Sequence, residues 1–235
     1  MGLSNLKSSS PLKAWRQNAA QASGGTSGDY IYDMFERVLR AHRPGGKILD
    51  FGAGIGGLSR RLVGMRMFES VDSVDIMPAP EGLDLPVDWH SQDLNEPTGF
   101  AGGSFEVIVS AEVIEHLENP RAVVREWFRL LKPEGLLLFS TPNNESLRSI
   151  LALVFRGHYA SFGDASYPAH ITPLLKKDMD RILREAGFRE PFFFYTDYGT
   201  IPRLGRITWQ FVSYGLLRGL RFSDNVLAVA RKPGH

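Results

Sequence analysis

The sequence predicts an α/β fold: a doubly wound, mostly parallel seven-stranded sheet with helices on both faces. Three observations predict it. Short apolar runs alternate with stretches of helical spacing along most of the chain. FEVIVS at 105–110 and the LLLF that opens 136–143 are largely apolar, as strands buried on both faces must be. The first strand leads straight into a glycine-rich turn, so that residues 47–57 read KILDFGAGIGG.

Taken in order, residues 1–28 are rich in Ser, Gly and Gln and are expected to form a flexible arm, with Trp15 as an anchor. Residues 29–42 place Tyr32, Phe35, Val38 and Leu39 at helical spacing. Pro44-Gly45-Gly46 stops that helix. Strand one, 47–50, feeds the glycine turn and a short helix near 57–65. Strand two is expected at about 70–76 and strand three near 87–90, leading into HSQDLNEP. Gly102-Gly103 turn the chain into strand four at 105–110. Asn119 and Pro120 supply an N-cap and a first-turn proline for a helix over 120–131. Lys132-Pro133-Glu134-Gly135 is expected to end it, with strand five at 136–143. An amphipathic piece, SLRSILALVFRGHY, then opens an apolar-basic insertion at about 144–171. A helix over 175–186, closed by Gly187, precedes the last strands at 192–195 and 226–230. Between those strands, 199–222 carries Arg203, Arg206, Arg218 and Arg221 and no acid. Residues 29–235 thus form one expected domain with two insertions.

The 235 residues suffice for one sizeable α/β domain. A formal net charge of +1 offers no global case for nucleic-acid binding. The absence of cysteine excludes disulfides, thiolate metal sites and cysteine nucleophiles, and fits a reducing compartment. The first 29 residues lack the apolar core of a secretory signal, and no apolar run is long enough to span a bilayer. The expected location is cytoplasmic, with peripheral contact at the inner membrane face.

The glycine turn carries the chemistry. Glycines at 52, 54, 56 and 57 let the backbone turn sharply and approach a ligand without a Cβ clash. The spacing Gly52-x-Gly54-x-x-Gly57 also satisfies a dinucleotide fingerprint, which alone is a weak signal. Asp50, just before the turn, would repel a pyrophosphate and attract a cationic amino-acid tail. A nicotinamide oxidoreductase is therefore the remote alternative, and a purely structural turn the other. Asp75 ends strand two, where an acid typically takes the hydroxyls of an adenosine ribose; the alternative is a solvated strand-end aspartate. Asp93 follows strand three, where a carboxylate could accept an adenine amino group while the Leu94 amide reads the ring; the alternative is an Asx-turn.

Asp50, the glycines, Asp75 and Asp93, together with SAEVIEHL and LLKPEGLLLFSTPN, resemble the class I S-adenosylmethionine-dependent methyltransferases. The resemblance covers about 29–190. Within that family the chain is similar to the branch of type 11 methyltransferases that includes the ubiquinone-pathway O-methyltransferases. It departs at Phe51, where a small aliphatic residue is usual, and in the length of 199–222. The resemblance implies a Rossmann-like fold and S-adenosylmethionine as cofactor. It implies that Asp50 and Gly52 hold the amino and carboxylate end of the cofactor's methionine. Asp75 would take the ribose; Gln92, Asp93 and Leu94 would frame the adenine; the stretch from Ser110 to Glu112 would flank the sulfonium; Gly54, Gly56 and Ile76 would complete the cofactor-binding set.

A second constellation is Glu112-Val-Ile-Glu115-His116. One helical turn would put 112, 115 and 116 on one face. Three readings follow. His116 is a general base, oriented by Glu112, that takes a proton from a hydroxyl acceptor. Or Glu112, Glu115 and His116, joined by His170, make a hard oxygen–nitrogen site for a divalent ion. Or the segment is a structural elbow. The expected activity is methyl transfer to oxygen of a small-molecule or lipid-like acceptor. The alternatives are N- or C-methylation on the same scaffold and a non-catalytic cofactor-binding scaffold. The two apolar-basic insertions combine aromatics and arginines as interfacial anchoring requires; a substrate lid or subunit face would use the same residues.

Overall fold

In the computed structural model of the protein, residues 11–83, 86–205 and 207–234 are described. Seven strands form one sheet in the order β3-β2-β1-β4-β5-β7-β6. They are β1 (Lys47–Phe51), β2 (Ser70–Asp75), β3 (Val87–Ser91), β4 (Phe105–Ala111), β5 (Leu131–Pro142), β6 (Arg189–Tyr195) and β7 (Asn225–Arg231). The first five pair in parallel, and β7 runs antiparallel to both β5 and β6. The helices are α1 (Pro11–Ala22), α2 (Asp29–His42), α3 (Gly57–Met65), α4 (Pro120–Leu130), α5 (Leu147–Arg156), α6 (Lys176–Ala186) and the single turn α7 (Trp209–Val212).

The apolar strands bury both faces. On one face Ile48, Val107, Val109 and Leu138 pack under α2 and α3, through Phe35, Leu39, Leu58 and Leu62. On the other, Leu49, Ile108, Leu137 and Phe139 pack under α4 and α6, through Val124, Trp127, Met179 and Leu183. Asn119 caps α4 as expected: its side chain accepts the Ala122 amide ahead of Pro120. Gly187 ends α6 with φ 104, the left-handed conformation glycine tolerates.

Two boundaries differ from expectation. Lys132-Pro133-Glu134-Gly135 does not precede the fifth strand; it lies inside β5, which starts at Leu131 as α4 ends. The β4–β5 register shifts between Phe105 and Val107, and the bulge absorbs Pro133, which has no amide to pair. The expected flexible arm also differs. Residues 11–22 form α1, which lies over the sheet's ligand edge. Arg16 holds it there through ion pairs, a long-range feature that local composition does not carry. The part of that expectation covering residues 1–10 lies outside the described residues, as does Arg206.

From β1 the chain winds outward through β2 to β3; from β4 it winds the other way through β5. The sheet's topological switch point therefore lies between β1 and β4, and the crevice beyond their carboxyl ends is where such sheets bind ligands.

Candidate active site

A cavity of about 320 Å³ occupies that crevice. Asp50 and Asp75, the last acids of β1 and β2, line it together with Gly52, Ala53 and Gly54. The loop is locally determined. Gly52 has φ 86 and packs so closely on Val113 that a Cβ would come within 2.3 Å of that side chain. Its amide and that of Ala53 both donate to the Val74 carbonyl, turning the loop back over β2.

Asp50 is buried, and its carboxylate accepts the Ser59 hydroxyl at 2.6 Å. Burial pushes its pKa up to about 7, and the charge of Asp75 adds to the rise while Ser59 opposes it. Asp75 accepts the Gly54 amide at one carboxylate oxygen and the Met77 amide at the other, both at 2.9 Å. Burial raises its pKa too, against those amides. Two buried carboxylates with raised pKa values facing one cavity have a deficit of positive charge and of donors. A ligand with an ammonium group and vicinal hydroxyls satisfies both needs. The residues present fit S-adenosylmethionine in that respect. An anionic pyrophosphate would face Asp50 directly.

Of the other residues singled out for the cofactor, Ile76, Asp93 and Leu94 line the cavity; Gln92, Ser110 and Gly56 do not. Gln92 Oε1 accepts the Gly99 amide, so its side chain braces the loop behind. Ser110 is fully buried and donates to the Phe51 carbonyl, tying β4 to β1 beneath the site. Gly56, at φ 77, is the N-cap of α3. Asp93 accepts Arg16 at 2.8 Å on one oxygen and the Asn95 amide at 3.0 Å on the other, forming the Asx-turn that was the alternative reading.

The Glu-x-x-Glu-His constellation is not a helical face. Glu112 has φ 56, and only residues 114–116 form a 3-10 turn. The carboxylate of Glu112 therefore turns to the cavity, where it accepts Ser140 Oγ at 2.8 Å and Asn225 Nδ2 at 2.7 Å. It does not orient His116. Main-chain carbonyls hold the ring instead: that of Ala169 lies 2.8 Å from Nδ1 of His116, and the Glu112 carbonyl also bonds the ring. Burial lowers the His116 pKa, so the ring is neutral at neutral pH. His170 stacks edge-on to it with ring centroids 4.8 Å apart, its own Nδ1 bonded to the Ser161 carbonyl at 2.7 Å. Burial and the neighbouring His116 lower its pKa as well.

Glu115 lies behind these rings, fully buried, with the Thr141 hydroxyl and its own backbone amide near its carboxylate. Burial raises its pKa, and it shares the rise with Glu112. One ligand atom each from Glu115, His116 and His170 lie within 4.8 Å of one another. The donor set expected for a metal thus contracts to one carboxylate and two imidazoles, with Glu112 pulled away by Ser140 and Asn225.

Sequence reasoning missed several lining residues. Tyr30, on α2, stacks on Tyr198 with centroids 4.3 Å apart, and burial raises its pKa to about 12. Asn225 enters from the far end of the chain. Arg16, Ala19 and Ala20 come from α1. A usable signal existed for α1: Leu12, Trp15 and Ala19 fall at helical spacing.

A family model for a methyltransferase domain matches residues 27–189, covering the loop, both aspartates and both histidines. The chain belongs to the class I S-adenosylmethionine-dependent methyltransferases. The ubiquinone biosynthesis O-methyltransferase of Xanthomonas oryzae pv. oryzae is 33% identical over 118 residues, which are 47% of this chain and 48% of that protein. Its namesake from Nitrosococcus oceani is 30% identical over 152 residues, 60% of this chain and 59% of that one. The chain thus spans about half the length of the curated relatives it matches. Among solved structures, a methyltransferase dependent on S-adenosylmethionine from Archaeoglobus fulgidus matches with TM-score 0.63 and 17% identity, over 90% of this chain and 97% of that one. Phosphoethanolamine N-methyltransferase 2 of Haemonchus contortus matches with TM-score 0.53 and 19% identity, over 81% and 49%. At these identities the structural matches establish the methyltransferase fold alone.

Proposed function

We propose that this methyltransferase moves a methyl group from S-adenosylmethionine to an oxygen of a small or lipid-like acceptor. The observation that carries the reading is one cavity holding two chemistries: buried Asp50 and Asp75 at the ends of adjacent strands, and His116, its Nδ1 held 2.8 Å from the Ala169 carbonyl. The cofactor supplies an electrophilic methyl carbon on a sulfonium. Asp50 would hold its ammonium and Asp75 its ribose hydroxyls, with Ile76 and Leu94 against the adenine. Tyr30, Glu112, His170 and Asn225 would shape the acceptor's side of the cavity. The His116 imidazole would take the acceptor's hydroxyl proton as the oxygen attacks, because an oxyanion attacks far faster than a neutral hydroxyl. Holding the two reactants in line at about 3 Å is the protein's larger contribution. The curated relatives' name supports oxygen over nitrogen or carbon.

A second reading is favoured by one observation. The buried Glu115 carboxylate stands beside His116 and His170, and the three make a hard donor set that fits a divalent ion. In that case the three side chains would hold the ion at the acceptor's end, and His116 would not be free as a base.

Support for a lipid-like acceptor comes from the surface. Phe155 is 78% exposed, Phe211 76%, Tyr214 96% and Leu216 85%. They sit on the two insertions, and α5 packs against residues 220–222 of the second. Arg156, Arg203 and Arg218 accompany them. No helix among the described residues is long and apolar enough to cross a membrane.

The test is equilibrium binding followed by product trapping. Tight binding of S-adenosylhomocysteine without binding of NAD, and transfer of labelled methyl from the cofactor to an extract component at oxygen, are expected. Binding of NAD alone, or a label found on nitrogen or carbon, would replace this reading.

A further inference from the structure

The helix α1 has no buried residue, yet five of its near neighbours and members, Trp15, Arg16, Ala19, Ala20 and Ser23, line the same cavity as Asp50 and Asp75. A helix of 12 residues is marginal on its own in water, so docking must hold it. One of its side chains reaches across the crevice. The guanidinium of Arg16 bonds Asp93 at 2.8 Å and Glu118 at 2.7 and 2.9 Å, and reaches the exposed Glu96 at 3.1 Å. Only 10% of the Arg16 side chain is exposed. Asp93 follows β3 and Glu118 follows the 3-10 turn after β4, so one arginine joins α1 to two walls of the crevice. Among the described residues it is also the only lysine or arginine lining the cavity.

The connection to the body runs through two glycines. Gly24 and Gly25 both hold left-handed backbone, φ 75 and 58, between α1 and α2. The fixed side of the hinge is anchored on the cofactor loop itself, where the Gly25 carbonyl accepts the Ile55 amide at 2.9 Å.

We propose that α1 is a cofactor-retaining lid, hinged at Gly24 and Gly25 and latched by the Arg16 ion pairs to Asp93 and Glu118. This rests on the reading of the cavity as the cofactor site. With the latch made, a ligand on Asp50 and Asp75 is roofed by α1, and it leaves only after the Arg16 bonds part. Arg16 is thus a positioning residue that sets the rate of cofactor exchange. The latch is electrostatic and partly solvent-accessible, so salt weakens it.

The experiment measures rates. S-adenosylhomocysteine association and release are followed by stopped flow for the wild type and for Arg16→Gln, across a range of NaCl. The variant should release the ligand at least about tenfold faster, because charge-assisted hydrogen bonds are the strong ones. It should also admit the ligand faster, and its rates should lose the salt dependence of the wild type. A purely structural arginine would weaken binding without accelerating entry. Because the chain has no cysteine, Leu12→Cys carries a single fluorophore on α1. Its anisotropy should fall on adding salt in the wild-type background and start low with Arg16→Gln, with no ligand present. If Arg16→Gln misfolds by circular dichroism, Glu118→Gln takes its place, with the same signs and a smaller size. Unchanged rates or unchanged anisotropy overturn the lid. A wild type that shows the anisotropy change but binds no S-adenosylhomocysteine overturns the cofactor reading, and with it the lid's retaining role.

Discussion

The Cα of Gly54 lies against the main chain of Gly25, whose carbonyl oxygen would be 2.1 Å from a Cβ at residue 54. The glycine loop is therefore close-packed on its outer side by the segment that follows α1, while its inner side faces the cavity. Glycine is required at 54 for two reasons, the contact with Gly25 and a φ of 56.

Gly54→Val should then do more than obstruct a ligand. The left-handed backbone alone costs a β-branched residue at least about 1–2 kcal/mol, and Gly25 must move away. The expected outcome is a lower melting temperature and a loss of S-adenosylhomocysteine affinity larger than that of Asp75→Ala. The latter removes bonds to a charged acceptor, each typically about 1.5–3 kcal/mol. Calorimetry on both variants checks the order; a folded Gly54→Val that binds like wild type removes the loop from the site.

Cofactor binding should release protons near neutrality. Burial holds the Asp50 pKa at about 7, above its ordinary value of 3.8. Between those values the empty folded protein binds more protons than the unfolded chain, so its stability falls as pH rises through that window. A bound ammonium favours ionised Asp50, so affinity should rise with pH through about 7. Titration calorimetry in two buffers of different ionisation heat reads the protons directly. Asp50→Asn should bind weakly and release fewer; an unchanged proton count in that variant would place Asp50 outside the ligand's reach.

His116→Ala should lower turnover about 10²–10⁴-fold with cofactor affinity nearly intact. Because burial lowers the His116 pKa from 6.5, the acid limb of the rate profile should lie below that value and disappear in the variant. His170 separates the two readings of this end of the cavity. If His170→Ala is mild and chelators leave the rate unchanged, His116 is a base. If a chelator silences the enzyme, Mg²⁺ or Mn²⁺ restores it, and His170→Ala is as damaging as His116→Ala, the Glu115–His116–His170 set holds an ion.

The apolar-basic surface should bind anionic vesicles at low salt. Each arginine near such a surface contributes about 1 kcal/mol. Replacing Arg156, Arg203 and Arg218 by Gln should release the protein in sedimentation while leaving S-adenosylhomocysteine affinity unchanged. A wild type that ignores anionic vesicles would favour a water-soluble acceptor and leave Phe211, Tyr214 and Leu216 to a subunit contact.

The sequence alone determined the architecture, because its signals are local. Apolar runs of four to seven residues, the Asn119-Pro120 start and the Gly187 stop depend on neighbours in the chain. So does the placement of Asp50 and Asp75, since a strand that ends in an acid before a turn puts that acid at the sheet's edge. Tertiary structure decided what the local pattern left open. The left-handed φ of Glu112 sent its carboxylate to Ser140 and Asn225, and left the orientation of His116 to main-chain carbonyls, one of them 53 residues away. Gln92 and Ser110 stand at the right places in the chain but turn to loop and strand partners. Arg16 meets Asp93 across 77 residues, converting an expected flexible arm into a docked helix. Those outcomes depend on which buried polar groups find each other once the sheet has closed, and spacing along the chain carries no record of that.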